Sequence, residues 1–319
     1  MIEVQDISMD YGSFKAVDRC SFTVSKGEIV GLVGPNGAGK TTIMKILATQ
    51  LTPTSGTAKV NGHDIESNPL EVRKDLGFLP EQAPIYEDME VREYLSFVGA
   101  ARGLGKKEID ERLGWVAENC ALSSVWCKPI GELSKGYKQR VGLGQALIHN
   151  PPVLILDEPT SGLDPLQIME IRRLVRALSS DKAILFSTHI LQEITALTDR
   201  AVVISDGRIR ADGPLRELSK RAFPYQCVVA CFEEQSVSSK DLAGLPSISE
   251  VVRKDQGQAH TASCFQLHAK DAQMALKEIS HFAKQHNLTI VELYEKGPDL
   301  EQVFSALIHT DGSGVGTVS

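Results

Sequence analysis

A glycine-rich segment that ends in lysine and threonine carries the clearest chemical signal in this sequence. It reads Gly34-Pro35-Asn36-Gly37-Ala38-Gly39-Lys40-Thr41 and follows the apolar run at residues 28–33. A strand that enters such a loop and a helix that leaves it form a phosphate cradle, because backbone N–H groups converge on phosphate oxygens. In such a loop, Lys40 is predicted to bind the β- and γ-phosphates, and the hydroxyl of Thr41 is predicted to be a ligand of Mg²⁺. The spacing predicts a nucleoside triphosphate site.

Acidic and imidazole side chains follow two further apolar runs. Asp157 and Glu158 end the run at residues 153–156, and His189 follows the run at 183–187. Because open α/β sheets bind ligands at the carboxyl ends of their strands, we expect these side chains near the phosphates. Asp157 is predicted to hold Mg²⁺, and Glu158 to act as the general base toward water. His189 is predicted to donate a hydrogen bond to charge that builds during phosphoryl transfer.

A third segment, Leu133-Ser134-Lys135-Gly136-Tyr137, opens a predicted helix between the phosphate loop and the acidic strand. With the other motifs in this order, it resembles the signature of the ATP-binding cassette (ABC) family, which usually reads Leu-Ser-Gly-Gly-Gln. The resemblance implies that Ser134 and Gly136 contact ATP bound by a different cassette. One signature in one chain therefore implies half of a dimeric machine.

The resemblance extends over residues 1–219 and assigns further positions one by one. Tyr11 corresponds to the aromatic residue that stacks on adenine, Thr42 continues the phosphate loop, and Asp164 corresponds to an aspartate that crosses the dimer interface. The predicted helices at about 84–150 correspond to the subdomain that contacts a membrane partner.

Three positions depart from the family pattern. The expected glutamine after a strand and a proline is replaced by Glu81, with Gln82 next, so either residue could contact Mg²⁺ or the attacking water. Lys135 replaces a glycine of the signature, and Tyr137 replaces its glutamine. Lys135 either adds positive charge beside the phosphates or is a solvated lysine.

Hydrophobic periodicity predicts an α/β fold. The apolar strands of residues 1–219 alternate with helices, which favours a mostly parallel core sheet with an antiparallel β edge and an α-helical subdomain. Residues 220–309 are predicted to form a small α+β domain with a helix over 272–285. The Gly/Ser-rich residues 310–319 are predicted to be a flexible tail.

Composition excludes several classes of protein. The net charge of −7 argues against a nucleic-acid partner, which would require a basic surface. No apolar run reaches the roughly 18–20 residues that span a bilayer, and no secretory signal opens the chain. The six cysteines are scattered, so we expect free thiols in a reducing compartment rather than disulfides or metal ligands.

The sequence therefore predicts an ATP-hydrolysing subunit of an ABC transporter, with ATP and Mg²⁺ as cofactors. It would pair with a second ATP-binding subunit, expected to be an identical copy, and drive an integral membrane permease from the cytoplasmic face of the membrane. The segment Pro298-Asp299-Leu300-Glu301-Gln302-Val303-Phe304 resembles an element of exporters of drugs, antibiotics or sodium and of a gliding-motility system, which favours export.

The alternative is a soluble ABC ATPase that acts on nucleic acid or ribosomes. A P-loop kinase or GTPase would lack the signature segment and His189.

Overall fold

The computed structural model describes residues 1–198, 200–222, 225–233, 237–254, 263–296 and 300–309. The chain divides into two compact units. The described part of the first unit comprises residues 1–215, and the second unit comprises residues 216–309. The division falls close to the boundary at 219 that the sequence suggests.

The first unit is a mixed α/β structure. Its strands are β1 (Ile2–Tyr11), β2 (Phe14–Val24), β3 (Ile29–Val33), β4 (Ser55–Val60), β5 (His63–Asp64), β6 (Leu76–Leu79), β7 (Val153–Asp157), β8 (Ala183–Thr188), β9 (Arg200–Ser205) and β10 (Arg208–Pro214). Its helices are α1 (Lys40–Leu47), α2 (Pro69–Asp75), α3 (Val91–Ala101), α4 (Lys106–Asn119), α5 (Lys135–Leu147), α6 (Pro165–Leu178) and α7 (Leu191–Leu197). Two short 3₁₀ turns, Ser123–Val125 and Ile130–Glu132, lie between α4 and α5.

Two sheets organise these strands. The first is antiparallel, with the order β2-β1-β4-β5. The second has the order β10-β9-β3-β8-β7-β6, and only β10 runs antiparallel to its neighbour. Every residue of β7 and of β8 is buried, as expected for parallel strands covered on both faces.

Helix α1 lies against the main hydrophobic core of the first unit. Its residues Ile43, Met44 and Leu47 belong to one buried cluster with side chains of both sheets. Burial of a large aliphatic side chain contributes roughly 1.5–3 kcal/mol. This packing anchors the helix that directly follows the phosphate loop.

The second unit combines a four-stranded antiparallel sheet with helices. Its described elements are α8 (Leu215–Ala222), β11 (Gln226–Phe232), α9 (Ser239–Ala243), β12 (Ile248–Lys254), β13 (Ser263–Ala269), α10 (Ala272–Gln285), β14 (Ile290–Lys296) and α11 (Leu300–His309). The run from β11 to β14 reads βαββαβ, and the sheet order is β12-β13-β11-β14. This is the topology of a ferredoxin-like domain.

The predicted fold class is confirmed, and several boundaries change. Helix α10 has its predicted bounds, and strands β1 and β2 continue into a hairpin at Gly12-Ser13. Helices α2, α7, α8 and α9 and strands β10 and β12 were not predicted. The predicted tail at 310–319 and residues 298–299 of the exporter-like segment lie outside the described residues.

The expectation that all six cysteines are free thiols is wrong. Cys231 and Cys264 form a disulfide, while Cys20, Cys120, Cys127 and Cys227 take part in no disulfide. The two bonded residues face each other in the register of β11 and β13, with Cα atoms 4.1 Å apart. Because the two cysteines lie 33 residues apart in the chain, no local sequence pattern predicts this proximity.

No helix among the described residues is both long and apolar enough to cross a bilayer.

Candidate active site

Four neighbouring strands of the six-stranded sheet deliver the predicted site residues to one edge. Strands β3, β8, β7 and β6 lie side by side and run parallel. The phosphate loop follows β3, His189 follows β8, Asp157 and Glu158 end β7, and Glu81 lies just beyond β6. Their carboxyl ends therefore meet at the edge where open α/β sheets bind ligands.

The phosphate loop has the tight backbone that its glycines predict. Gly39 has φ of +103°, and a Cβ there would lie 2.6 Å from the carbonyl oxygen of Ala16. A Cβ on Gly34 would lie 2.1 Å from the carbonyl oxygen of Ile204. Only glycine fits such close backbone approaches. Helix α1 starts at Lys40, because Gly39 is in the left-handed region.

Lys40 is held inside this loop. Its Nζ donates hydrogen bonds to the carbonyl oxygens of Gly34, at 2.7 Å, and Pro35, at 3.2 Å. Burial lowers the pKa of Lys40, although the nearby carboxylates of Glu158, Asp157 and Glu81 oppose the shift. An ammonium that is desolvated and aimed at the loop offers a strong interaction to incoming phosphate oxygens.

A cavity of about 420 Å³ opens in front of the loop. Most of the predicted site residues line it: Tyr11, Asn36, Gly37, Ala38, Gly39, Lys40, Thr41, Thr42, Glu81, Glu158 and His189. Two lining residues, Phe14 and Ala16, were not predicted. Tyr11 and Phe14 pair across the β1–β2 hairpin, and both are exposed, so either ring offers a stacking surface.

Glu158 occupies the most constrained position of the site. Its backbone has φ of +50°, which is uncommon for a residue with a side chain, and such strain is typical of functional sites. Its Oε2 lies 2.7 Å from Nδ1 of His189, and its Oε1 lies 4.0 Å from Nζ of Lys40. Because a carboxylate oxygen accepts hydrogen bonds, Nδ1–H of His189 is the donor in this contact. The carboxylate is buried, and it can accept a hydrogen bond from a second donor.

Asp157 is a suitable ligand for Mg²⁺. Its Oδ1 accepts a hydrogen bond of 2.5 Å from the Ser187 hydroxyl, while its buried Oδ2 has no partner among the described residues. A buried carboxylate oxygen without a protein partner matches the sparse protein ligation typical of Mg²⁺, which keeps substrate phosphates and water as its other ligands. Within the described chain, no cluster of three or more His, Cys, Asp or Glu residues could hold a metal alone.

Ser187 links the two strands that carry the catalytic candidates. Besides its bond to Asp157, its Oγ accepts a hydrogen bond of 3.0 Å from the backbone N–H of Glu158. Ser187 is not among the residues that the sequence motifs predict for the site. The available signal was its place two residues before His189, at the end of a fully buried strand.

Besides Asp157, six predicted site residues do not line the cavity. Ser134 caps α5 and accepts a hydrogen bond from the N–H of Tyr137, and Gly136 lies against Gln167. Asp164 caps α6 through the N–H of Gln167. Gln82 is also absent from the lining, in contrast to its neighbour Glu81. Gly34 and Pro35 contribute carbonyl oxygens to Lys40 instead of lining the cavity.

Comparisons with known proteins agree with this geometry. A family model described as ABC transporter matches residues 17–161, and one described as "AAA domain, putative AbiEii toxin, Type IV TA system" matches residues 129–195. The uncharacterized ABC transporter ATP-binding protein YxlF of Bacillus subtilis is 36% identical over 97% of this chain and 100% of its own. The bacitracin transport ATP-binding protein BcrA of Bacillus licheniformis is 39% identical over 70% of this chain and 73% of its own.

A solved structure supports the same assignment. It is described as the ATP-binding subunit of an ABC transporter, and it matches 69% of this chain and 92% of its own with a TM-score of 0.65 and 32% identity. The resemblance noted in the sequence is thereby confirmed. With a complete phosphate loop, an acidic strand end and His189 around one cavity, this chain belongs to the ATP-binding proteins of ABC transporters, which are ATPases.

Proposed function

We propose that two copies of this protein enclose two ATP molecules and that ATP hydrolysis in them drives a separate membrane permease. One observation carries the proposal. The cavity at the strand ends contains Lys40, Glu158 and His189, yet Ser134 and Gly136 of the same chain do not line it. The signature segment is therefore available to complete the site of a second copy.

The residues around the cavity have complementary tasks in hydrolysis. Lys40 and the N–H groups at the start of α1 bind phosphate oxygens. Glu158 accepts a proton from the attacking water, and His189 orients the carboxylate through its hydrogen bond of 2.7 Å. Thr41 and Asp157 would hold Mg²⁺, which neutralises charge on the β- and γ-phosphates when bound.

The permease is proposed to contact the helical segment at 84–150 and the adjoining cavity of about 520 Å³. That cavity is lined by Thr49, Arg73, Phe78, Pro84, Arg102 and Gln145, among others. Tyr86 and Phe97 are exposed nearby and lie against each other at 5.8 Å between ring centroids. Exposed aromatic rings beside a cavity are typical of protein contact surfaces. The protein would thus be held at the cytoplasmic face of the membrane.

Export is the proposed direction of transport. It rests on the exporter-like segment at residues 298–304 and on the relative that serves bacitracin transport. The alternative function on nucleic acid or ribosomes is not favoured, since the similar proteins are transporter subunits and the net charge is −7.

The test combines ATP turnover with oligomeric state. Glu158→Gln keeps the shape of the side chain but removes the proton acceptor, so we expect turnover to fall by about 10²–10⁴-fold while ATP is still bound. Light scattering coupled to gel filtration should then detect an ATP-dependent dimer of this variant. Lys40→Ala should abolish ATP binding and therefore also the dimer. Glu118→Gln, an exposed position, is the matched control. A Glu158→Gln variant that binds ATP and remains monomeric would refute the two-copy site.

A further inference from the structure

A buried carboxylate links the two segments that carry Glu158 and His189. Glu193, on α7, has only 1% of its surface exposed. Its Oε2 accepts a hydrogen bond of 2.7 Å from the Thr188 hydroxyl, and its Oε1 accepts one from the Thr160 hydroxyl. A buried carboxylate is costly unless its oxygens are hydrogen-bonded, and here each oxygen has one partner.

The two hydroxyl groups flank the reacting residues. Thr160 lies two residues after Glu158 on the loop that leaves β7, and Thr188 lies directly before His189 at the end of β8. The Thr188 hydroxyl also accepts a hydrogen bond of 2.9 Å from the backbone N–H of Ile190, on the other side of His189. Glu193 therefore fixes the backbone on both sides of the imidazole relative to the loop after Glu158.

We infer that Glu193 is a positioning residue for ATP hydrolysis, an inference that rests on the proposed function. It holds His189 at the hydrogen-bond distance of 2.7 Å from Glu158. The same carboxylate steadies the loop from Thr160 to Asp164, which leads to the expected dimer contact. His189 needs this support because its ring is about half exposed and, among the described residues, its side chain is held by the hydrogen bond to Glu158 alone.

Two substitutions of Glu193 test whether its hydrogen bonds to the two threonines support ATP turnover. Glu193→Ala removes both acceptors and leaves two buried hydroxyl groups without their partner. Glu193→Gln keeps one oxygen acceptor and adds an N–H donor, to which a threonine hydroxyl can turn as acceptor. We therefore expect Glu193→Gln to restore most of the turnover that Glu193→Ala loses.

The experiment measures ATP turnover and ATP affinity of the full-length protein. Glu193→Ala is expected to lower kcat by about 10–100-fold, because a misplacement of about 1 Å can reduce turnover on that scale. ATP affinity should stay unchanged, since Glu193 does not line the cavity. In a His189→Ala background, adding Glu193→Ala should cause little further loss, because the residues act as one unit.

A control removes a buried polar side chain elsewhere. Lys182 is also buried, with 5% of its surface exposed, and it donates hydrogen bonds to Asn150 and Pro151 at the opposite end of β8 from His189. Lys182→Met should lower the unfolding temperature but preserve kcat. If Glu193→Ala does not fold, Thr160→Val and Thr188→Val remove the same bonds singly and should each lower kcat.

Two results would overturn the inference. Equal losses from Glu193→Ala with and without His189 would mean that the residues act independently, and a loss matched by Lys182→Met would mean general destabilisation. Either result leaves the proposed function intact as long as the wild type hydrolyses ATP and Lys40→Ala does not.

Discussion

At the scale of single residues, the site depends on which oxygen atoms are left available. Oδ1 of Asp157 is occupied by Ser187, and Oε2 of Glu158 by His189, which leaves Oδ2 of Asp157 for a cation and Oε1 of Glu158 for water. These different neighbours are the basis on which we propose different tasks for the two adjacent carboxylates. The same reasoning separates Glu81 from Gln82, since Glu81 lines the cavity and its charge acts on Lys40.

This difference predicts the outcome of a paired substitution. Glu81→Ala should lower ATP turnover by at least about tenfold, because it removes an oxygen acceptor that can orient water or Mg²⁺ in the cavity. Gln82→Ala is the matched control and should retain turnover close to that of the wild type. A steady-state ATPase assay of both variants decides the matter, and the reverse ranking would assign the role to Gln82.

At the scale of elements, α5 is anchored to its surroundings by polar contacts at both ends. Near its start, Gln139 donates a hydrogen bond to the carbonyl oxygen of Pro159, and Arg140 forms an ion pair with Glu170. Just beyond its end, Nε2 of His149 bonds to the carbonyl oxygen of Leu76 at the start of β6, at 3.1 Å. The helix that begins with the signature segment is thereby tied to the loop after β7, to α6 and to the central sheet.

The His149 contact predicts a pH dependence of stability. Burial, reinforced by the charge of Arg102, lowers the pKa of His149 from 6.5 to about 4. Between these values the unfolded chain binds a proton that the folded chain does not, so the free energy of unfolding falls as pH decreases from 6.5 toward 4. Urea unfolding should show that the wild type loses about 1–2 kcal/mol more than His149→Gln between pH 7 and pH 5. Equal losses in both proteins would contradict this assignment.

At the scale of the whole molecule, the two units have separate cores. Side chains of both sheets and α1 form the main core of the first unit, whereas the second has its own apolar cluster between its sheet and α9 and α10. The active-site cavity is lined entirely by residues of the first unit, and the Cys231–Cys264 disulfide belongs entirely to the second. A change in one core should therefore have its main effect on the stability of that unit.

The disulfide provides the test of this separation. Closing a loop of 33 residues stabilises a folded chain by about 3–4 kcal/mol in the chain-entropy model. Reduction, or the pair Cys231→Ala and Cys264→Ala, should destabilise the second unit by that amount and leave ATP turnover unchanged. Thiol titration of unfolded protein should detect four thiols before reduction and six afterwards. Six thiols before reduction would show that the bond does not form.

The sequence by itself determined the chemistry of the site. The spacing of the phosphate loop, the acidic end of β7 and the position of His189 are local patterns in which a strand leads directly into a functional loop. Such patterns depend on neighbouring residues, so Lys40, Glu158 and His189 could be assigned before their distances were known. The βαβ alternation predicted the fold class for the same reason.

Tertiary structure decided which of these local pieces meet. The order β3-β8-β7-β6 depends on pairing between distant strands, which no local pattern contains. The bonds from Ser187 to Asp157 and from Glu193 to Thr160 join residues 30 and 33 positions apart, and the Cys231–Cys264 bond joins residues 33 apart. Phe14 enters the cavity only because a hairpin places it beside Tyr11. These contacts arise from chain folding over long separations, so local patterns in the sequence do not predict them.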